Sequence, residues 1–160
     1  MIERKQNKSA AARRHSEPSL DFSLLPELLG YRLRLAQVAV FRHFAGHVGD
    51  GRISPGLFGV LLLVRANPGV TQARLAAAIA IDRSTMVSVI DTLERRKWLE
   101  RRPADGDRRA FALHLTAAGA RLTNRLEKEV LEHEAELGRG FSPAEREQLL
   151  HLLGRLGEVG

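Results

Sequence analysis

From Leu24 to Val48 the apolar residues fall on every side of a helical wheel rather than along one stripe. This predicts a long helix covered all round, which in a chain of this size requires a second subunit. Ser54-Pro55 is an N-cap followed by proline at the first helical position, opening a second helix through about Ala66. Asn67-Pro68-Gly69 turns the chain into a small Ala-rich helix from about Thr71. Asp82 then caps a further helix, with Ile81 and Met86 spaced as a hydrophobic staple. In that helix Met86, Val89, Ile90 and Leu93 share one face, whereas Arg83, Ser84, Ser88, Asp91, Thr92 and Arg95 lie elsewhere. The period changes to two at Phe111, Leu113 and Leu115, and Leu99 to Arg102 supplies a strand to pair with them. Between the two strands, Pro103 to Arg108 contains Asp-Gly, a hairpin signal. Thr116 caps a long helix to about Leu137, with Leu122, Leu126 and Val130 at four-residue spacing. Ser142-Pro-Ala-Glu145 is a capping box, and Leu149, Leu152, Leu153 and Leu156 make the helix after it amphipathic.

A helix with an outward face of Arg, Ser and Thr, entered by a tight turn from a small helix, has the form of a DNA recognition helix. Arg83, Ser84, Thr85 and Ser88 occupy its first turns, where base edges are reached, and Arg95 is placed later for phosphate. The hairpin presents Arg101, Arg102, Arg108 and Arg109 around its tip, suited to phosphate or a minor groove. The expected fold is therefore mainly α with a small β-hairpin wing, a winged helix-turn-helix flanked by dimerisation helices. Its parts are a flexible basic tail (1–23), a first dimerisation helix (24–52), the winged helix-turn-helix (53–115) and C-terminal dimerisation helices (116–160). A two-fold homodimer of such chains reads a palindromic site with half-sites about 10 bp apart.

Asp107-x-Arg109 followed by Leu115-Thr116-x-x-Gly119 resembles the wing signature of the MarR (multiple antibiotic resistance regulator) family. Asp82-Arg-Ser-Thr, Leu93-Glu-Arg-Arg and Leu99-Glu-Arg-Arg fit the same pattern, and the resemblance runs from about Leu25 onward. It implies that Arg109 is the wing arginine of the minor groove and that Asp107 orients it. It also implies a transcriptional regulator, here a repressor released by a ligand. Lys97 stands where the family usually has Gly after the recognition helix. A left-handed cap by Lys costs roughly 1 kcal/mol relative to Gly, so a different arrangement of this helix end is expected.

Charge supports a nucleic-acid partner. The net charge is +6, with nine basic against six acidic residues in 71–115 and six against eight in 116–160. A basic DNA-facing part with an acidic part held away from phosphate fits double-stranded DNA. There is no cysteine, which removes thiol catalysis, thiolate metal sites and the cysteine-based peroxide-sensing branch of the family. No apolar run approaches a membrane span and no apolar segment near Met1 signals export, so a cytoplasmic protein without membrane association is expected. No catalytic set or phosphate loop is marked, so neither enzyme activity nor a cofactor is expected. The alternative is a small-molecule-binding or architectural helical dimer whose helix-turn-helix serves only packing.

His43 and His47, four apart on the first helix, have a spacing that can hold a metal. With no carboxylate or third histidine in a local position, no metal site is assigned. Remote His114, His133 or His151 could complete one only in a folded dimer. A ligand site is expected instead. Arg32, Ala36, Ala39, Val40, His43 and His47 fall within about 100° of arc on a helix, with Arg34 and Arg42 flanking. Cations at both ends of an apolar strip suit an anionic effector, an aromatic carboxylate or an acyl- or aryl-CoA thioester. The ligand-binding candidates are thus Arg32, Arg34, His43 and His47.

Overall fold

The computed structural model describes residues 20–104 and 107–158, with the side chains of 104–110 outside the described set. Six helices and three short strands follow in the order α1 (Leu29–His47), α2 (Pro55–Ala66), β1 (Val70–Thr71), α3 (Gln72–Ala78), α4 (Arg83–Arg95), β2 (Leu99–Ala104), β3 (Asp107–Leu115), α5 (Ala117–Gly138) and α6 (Pro143–Gly157). Two compact units divide at Leu35. No described helix is long and apolar enough to cross a membrane.

The first predicted helix starts later than Leu24. Leu25–Glu27 is a 3-10 turn carrying Pro26, and Leu28 is extended before α1 begins. Proline suits the turn because it needs no N–H there. Within 36–160 the core joins Phe44 and Val48 to α2 (Val60, Leu61, Val64), α3 (Leu75), α4 (Met86, Ile90, Leu93), the sheet (Leu99, Leu113) and α5 (Leu126). Arg65 of α2 makes a bidentate pair with Glu127 of α5, both bonds 2.8 Å.

The sheet has a strand that periodicity does not reveal. β1 pairs antiparallel with β3, Val70 opposite Leu113 and Thr71 opposite Ala112, giving the order β1-β3-β2. This changes the burial expected of β3. Ala112 and Leu113 are both buried, Leu115 is half-buried and Phe111 is 53% exposed. Beyond Ala112 only β2 pairs with β3 among the described residues, with Pro103 opposite Phe111, and Phe111 stays exposed there.

Four caps fall where the sequence puts them, and Thr71 adds a fifth. Ser54, Thr71, Asp82, Thr116 and Ser142 each accept from a backbone N–H three residues on, and Ser142 with Glu145 completes the capping box. The end of α4 differs from expectation. Lys97 takes φ 58°, and Trp98 N–H donates to Leu93 O (3.0 Å) while Lys97 N–H donates to Glu94 O (2.8 Å). This is the Schellman closure that glycine ordinarily serves, kept here with lysine. Thr116 Oγ1 donates to the Lys97 carbonyl at 2.7 Å and helps hold it.

Candidate nucleic-acid interface and its flanking helices

α4 buries Met86, Ile90 and Leu93 and exposes Arg83, Ser84, Thr85, Ser88 and Arg95, so the four expected readers and the expected phosphate contact are all exposed. Val87 joins them at 41% exposure. Sequence reasoning misses it because a valine at helical spacing reads as part of the core pattern. Its place three to four residues from Arg83 and Ser84 is the signal that finds it. A methyl-bearing side chain on such a face can contact the C5-methyl of thymine.

The cap reduces what two of the readers can donate. Asp82 accepts from Thr85 N–H (2.9 Å), from Thr85 Oγ1 (2.6 Å) and from Ser84 Oγ (2.5 Å). These bonds, that from Ser84 foremost, hold the Asp82 carboxyl far below its ordinary range. Ser84 and Thr85 thus spend their hydroxyl protons on Asp82 and present acceptor lone pairs outward. Ser88 donates back to Ser84 O (3.3 Å), Thr92 to Ser88 O (2.8 Å), and Arg95 to Thr92 Oγ1 (3.0 Å). Among the described residues Arg83 has no ion pair.

The wing is clamped to this helix. Arg101, expected at the exposed tip, is instead 21% exposed, donating to Asp91 at 2.6 Å and pairing with Glu94 through its other terminal nitrogen. Both acids lie on α4. Arg101 offsets the charge of two carboxylates on α4 and fixes the strand to the helix. Burial pulls its pKa down, but the two carboxylates outweigh burial and the guanidinium stays above its ordinary value. Arg102 pairs with Glu100 of its own strand at 2.5 Å. Asp107, Arg108 and Arg109 begin β3, with Ala104 opposite Asp107; their side chains, and the Asp105-Gly106 turn, lie outside the described residues.

Of the expected ligand residues, Arg32 donates through Nε to Pro26 O at 2.7 Å, and Arg34 is exposed. Ala36, Ala39 and Val40 line an apolar cavity of about 460 Å³ with Leu137, Phe141 and residues of α6, and its charged lining residues are Arg146 and Glu134. His43 and His47 point to a different neighbourhood. Their rings stack at 3.9 Å, His43 Nδ1 meets His133 Nδ1 at 2.7 Å, and His43 Nε2 meets Glu136 at 3.1 Å. A third histidine and a carboxylate therefore reach this pair within one chain, contrary to the expectation that only a dimer could supply them. Burial, and secondarily His43, holds the His133 pKa below its ordinary value. α6 buries no side chain, and Phe141, Leu149, Leu150, Leu152 and Leu153 are all at least 40% exposed.

A family model described as MarR family matches residues 53–110. A putative transcriptional regulatory protein for the hcr operon of Thauera aromatica is 38% identical over 129 residues, covering 80% of this chain and 78% of that protein. The HTH-type transcriptional regulator PecS of Dickeya dadantii is 32% identical over 146 residues, 89% of this chain and 87% of that protein. Among solved structures, the transcriptional repressor CouR bound to a 23-mer DNA duplex is 36% identical with a TM-score of 0.80, covering 87% of this chain and 99% of that one. CouR bound to p-coumaroyl-CoA is 34% identical with a TM-score of 0.81, covering 89% and 100%.

Proposed function

The chain belongs to the MarR family of transcriptional regulators, and on that premise we propose that it is a homodimeric repressor released from a palindromic operator by an anionic aromatic or acyl/aryl-CoA ligand. The observation that carries the reading is the open face of α4, polar or cationic at Arg83, Ser84, Thr85, Ser88 and Arg95 and locked to the wing by Arg101. In a two-fold dimer two such faces enter successive major grooves about 10 bp apart. Arg108 and Arg109 then track the adjoining backbone and minor groove, with Asp107 orienting Arg109. α1, α5 and α6 make the dimer, which accounts for the apolar side chains they leave exposed.

The effector is assigned to the apolar cavity of Ala36, Ala39, Val40 and Phe141, with Arg146 as anion partner. Arg32 and Arg34 remain further candidates for the ligand's charge, though neither lines this cavity. The binding of p-coumaroyl-CoA by CouR supports this class of ligand. His43 and His47 face Glu136 and do not line this cavity.

The test is fluorescence anisotropy with duplexes tiled across the DNA flanking the chain's own gene, at several salt concentrations, followed by titration with p-coumarate and p-coumaroyl-CoA. One tile should bind at least about 10³-fold more tightly than random duplex, and one of the two anions should release it. Equal affinity for every tile would refute sequence-specific regulation; release by neutral aromatics alone would refute the anionic effector.

A further inference from the structure

His43 and His47 lie one turn apart on α1, and His133 and Glu136 three apart on α5. Hydrogen bonding fixes what each imidazole can offer. A backbone carbonyl only accepts, so the 2.7 Å contact of His47 Nδ1 with His43 O puts a proton on Nδ1. The neutral ring then carries its free lone pair on Nε2. That atom lies 4.0 Å from Glu136 Oε2, too far for a hydrogen bond. His43 Nε2 lies 3.1 Å from the same oxygen. The two rings stack within 12° of parallel, and the three donor atoms lie within 4.8 Å of one another. A proton on His43 Nε2 could satisfy that atom and Glu136, but it leaves the outward lone pair of His47 Nε2 without a protein partner among the described residues; one cation between the three atoms engages all of them.

We propose that His43 Nε2, His47 Nε2 and Glu136 Oε2 form a zinc site that ties α1 to α5. Zn–N and Zn–O bonds of about 2.0–2.2 Å set tetrahedral edges of about 3.3–3.5 Å, and the separations of 3.1 and 4.0 Å bracket that range. Two histidines four apart on one helix with a carboxylate from another element is a donor set zinc accepts, and partial exposure of all three leaves a fourth position for water. The surrounding contacts orient the ligands as metal sites require. His47 is held by the His43 carbonyl. With a metal on its Nε2, His43 carries its proton on Nδ1 and donates it to His133 Nδ1. His133, buried and edge-on to Phe44, is thus a positioning residue rather than a ligand. Arg139 approaches the other carboxylate oxygen, Oε1, at 3.6 Å and leaves Oε2 for the ion.

The site is independent of the DNA-reading surface, so its test uses no DNA. The tag-free, metal-stripped full-length protein is titrated with Co²⁺, read by visible absorption, and the ion is then displaced with Zn²⁺. One Co²⁺ per chain with the intense bands of a low-coordinate N/O site, displaced by one equivalent of Zn²⁺, is the expected result. His47→Ala and Glu136→Gln should abolish those bands while leaving metal-free thermal unfolding within a few degrees, and His151→Ala, on exposed α6, should bind as wild type does. His133→Phe should weaken binding by about 10–100-fold, the cost of losing an orienting partner. Bands that survive Glu136→Gln, or only the weak spectrum of hexaaquo Co²⁺ in wild type, would overturn the assignment.

Discussion

Gly119→Ala sets two effects of opposite sign against each other. Gly119 sits in the first turn of α5, where helix propensity alone predicts that alanine stabilises by about 1 kcal/mol. The packing predicts the reverse. A Cβ on Gly119 would stand 1.8 Å from the Trp98 carbonyl oxygen and 2.7 Å from its carbon, backbone atoms with no rotamer to escape through. The gap must widen by more than an ångström, and Trp98 O already accepts the Thr116 N–H at 3.2 Å. Moving α5 away weakens that bond and the 2.7 Å bond from Thr116 Oγ1 to Lys97 O, about 0.5–1.5 kcal/mol each. Forced overpacking adds about 1–3 kcal/mol. After the propensity gain, the net loss is about 1–5 kcal/mol. For a chain of this size that lowers Tm by roughly 2–4 °C per kcal/mol.

Thermal unfolding at one fixed protein concentration decides the matter, since a dimer's Tm depends on concentration. Gly59→Ala is the control: it lies inside α2 with no atom within 4 Å of the added methyl, and should hold or raise Tm. A Gly119→Ala protein that melts at or above wild type would show that the close approach of α5 to Trp98 does not restrict this position to glycine.

Lys97→Gly should stabilise by about 1 kcal/mol, because the left-handed conformation at φ 58° is then free of Cβ strain; a lower Tm would refute the strain account. Arg101→Ala should weaken operator binding by exposing Asp91 and Glu94 to phosphate, and adding Glu94→Ala should recover part of the loss; strictly additive effects would deny the coupling. Arg109→Ala should cost about 1–3 kcal/mol of operator affinity in a folded dimer, and unchanged affinity would remove it from the interface.

The parts legible in the sequence are those written in local spacing. The Asp82 cap with Met86, Ile90 and Leu93 locates α4, and Ser142 with Glu145 locates α6, because caps and helical faces depend on residues three or four apart. What is not legible depends on partners far along the chain. β1 is two residues long and exists only because Leu113 and Ala112 lie beside it. Phe111 continues an alternation that the sheet stops supporting. Arg101 looks like another wing-tip cation until α4 brings Asp91 and Glu94 beneath it. His43 and His47 signal their spacing, but His133 and Glu136 reach them from some ninety residues away through the return of α5.

Trp98 joins all of these elements at one point. Its N–H closes α4, its carbonyl receives the start of α5, and its ring lies under the Arg96 guanidinium at 5.0 Å. Arg96 in turn donates to Arg52 O at 2.6 Å, ahead of α2. A displacement of α5 that preserves these bonds must carry α4 and the wing with it as one piece. An effector bound among the dimer helices would therefore change the separation of the two recognition helices, not the internal shape of either reading unit. The separation and the joint can each be measured, because Trp98 is the chain's only tryptophan and the chain has no native cysteine. A spin label at Ala78→Cys, exposed at the end of α3, reports the distance between protomers. Saturating effector should shift that distance and leave the Trp98 emission maximum where it was. A moved emission maximum at constant distance would mean that the signal reshapes the joint instead of swinging it.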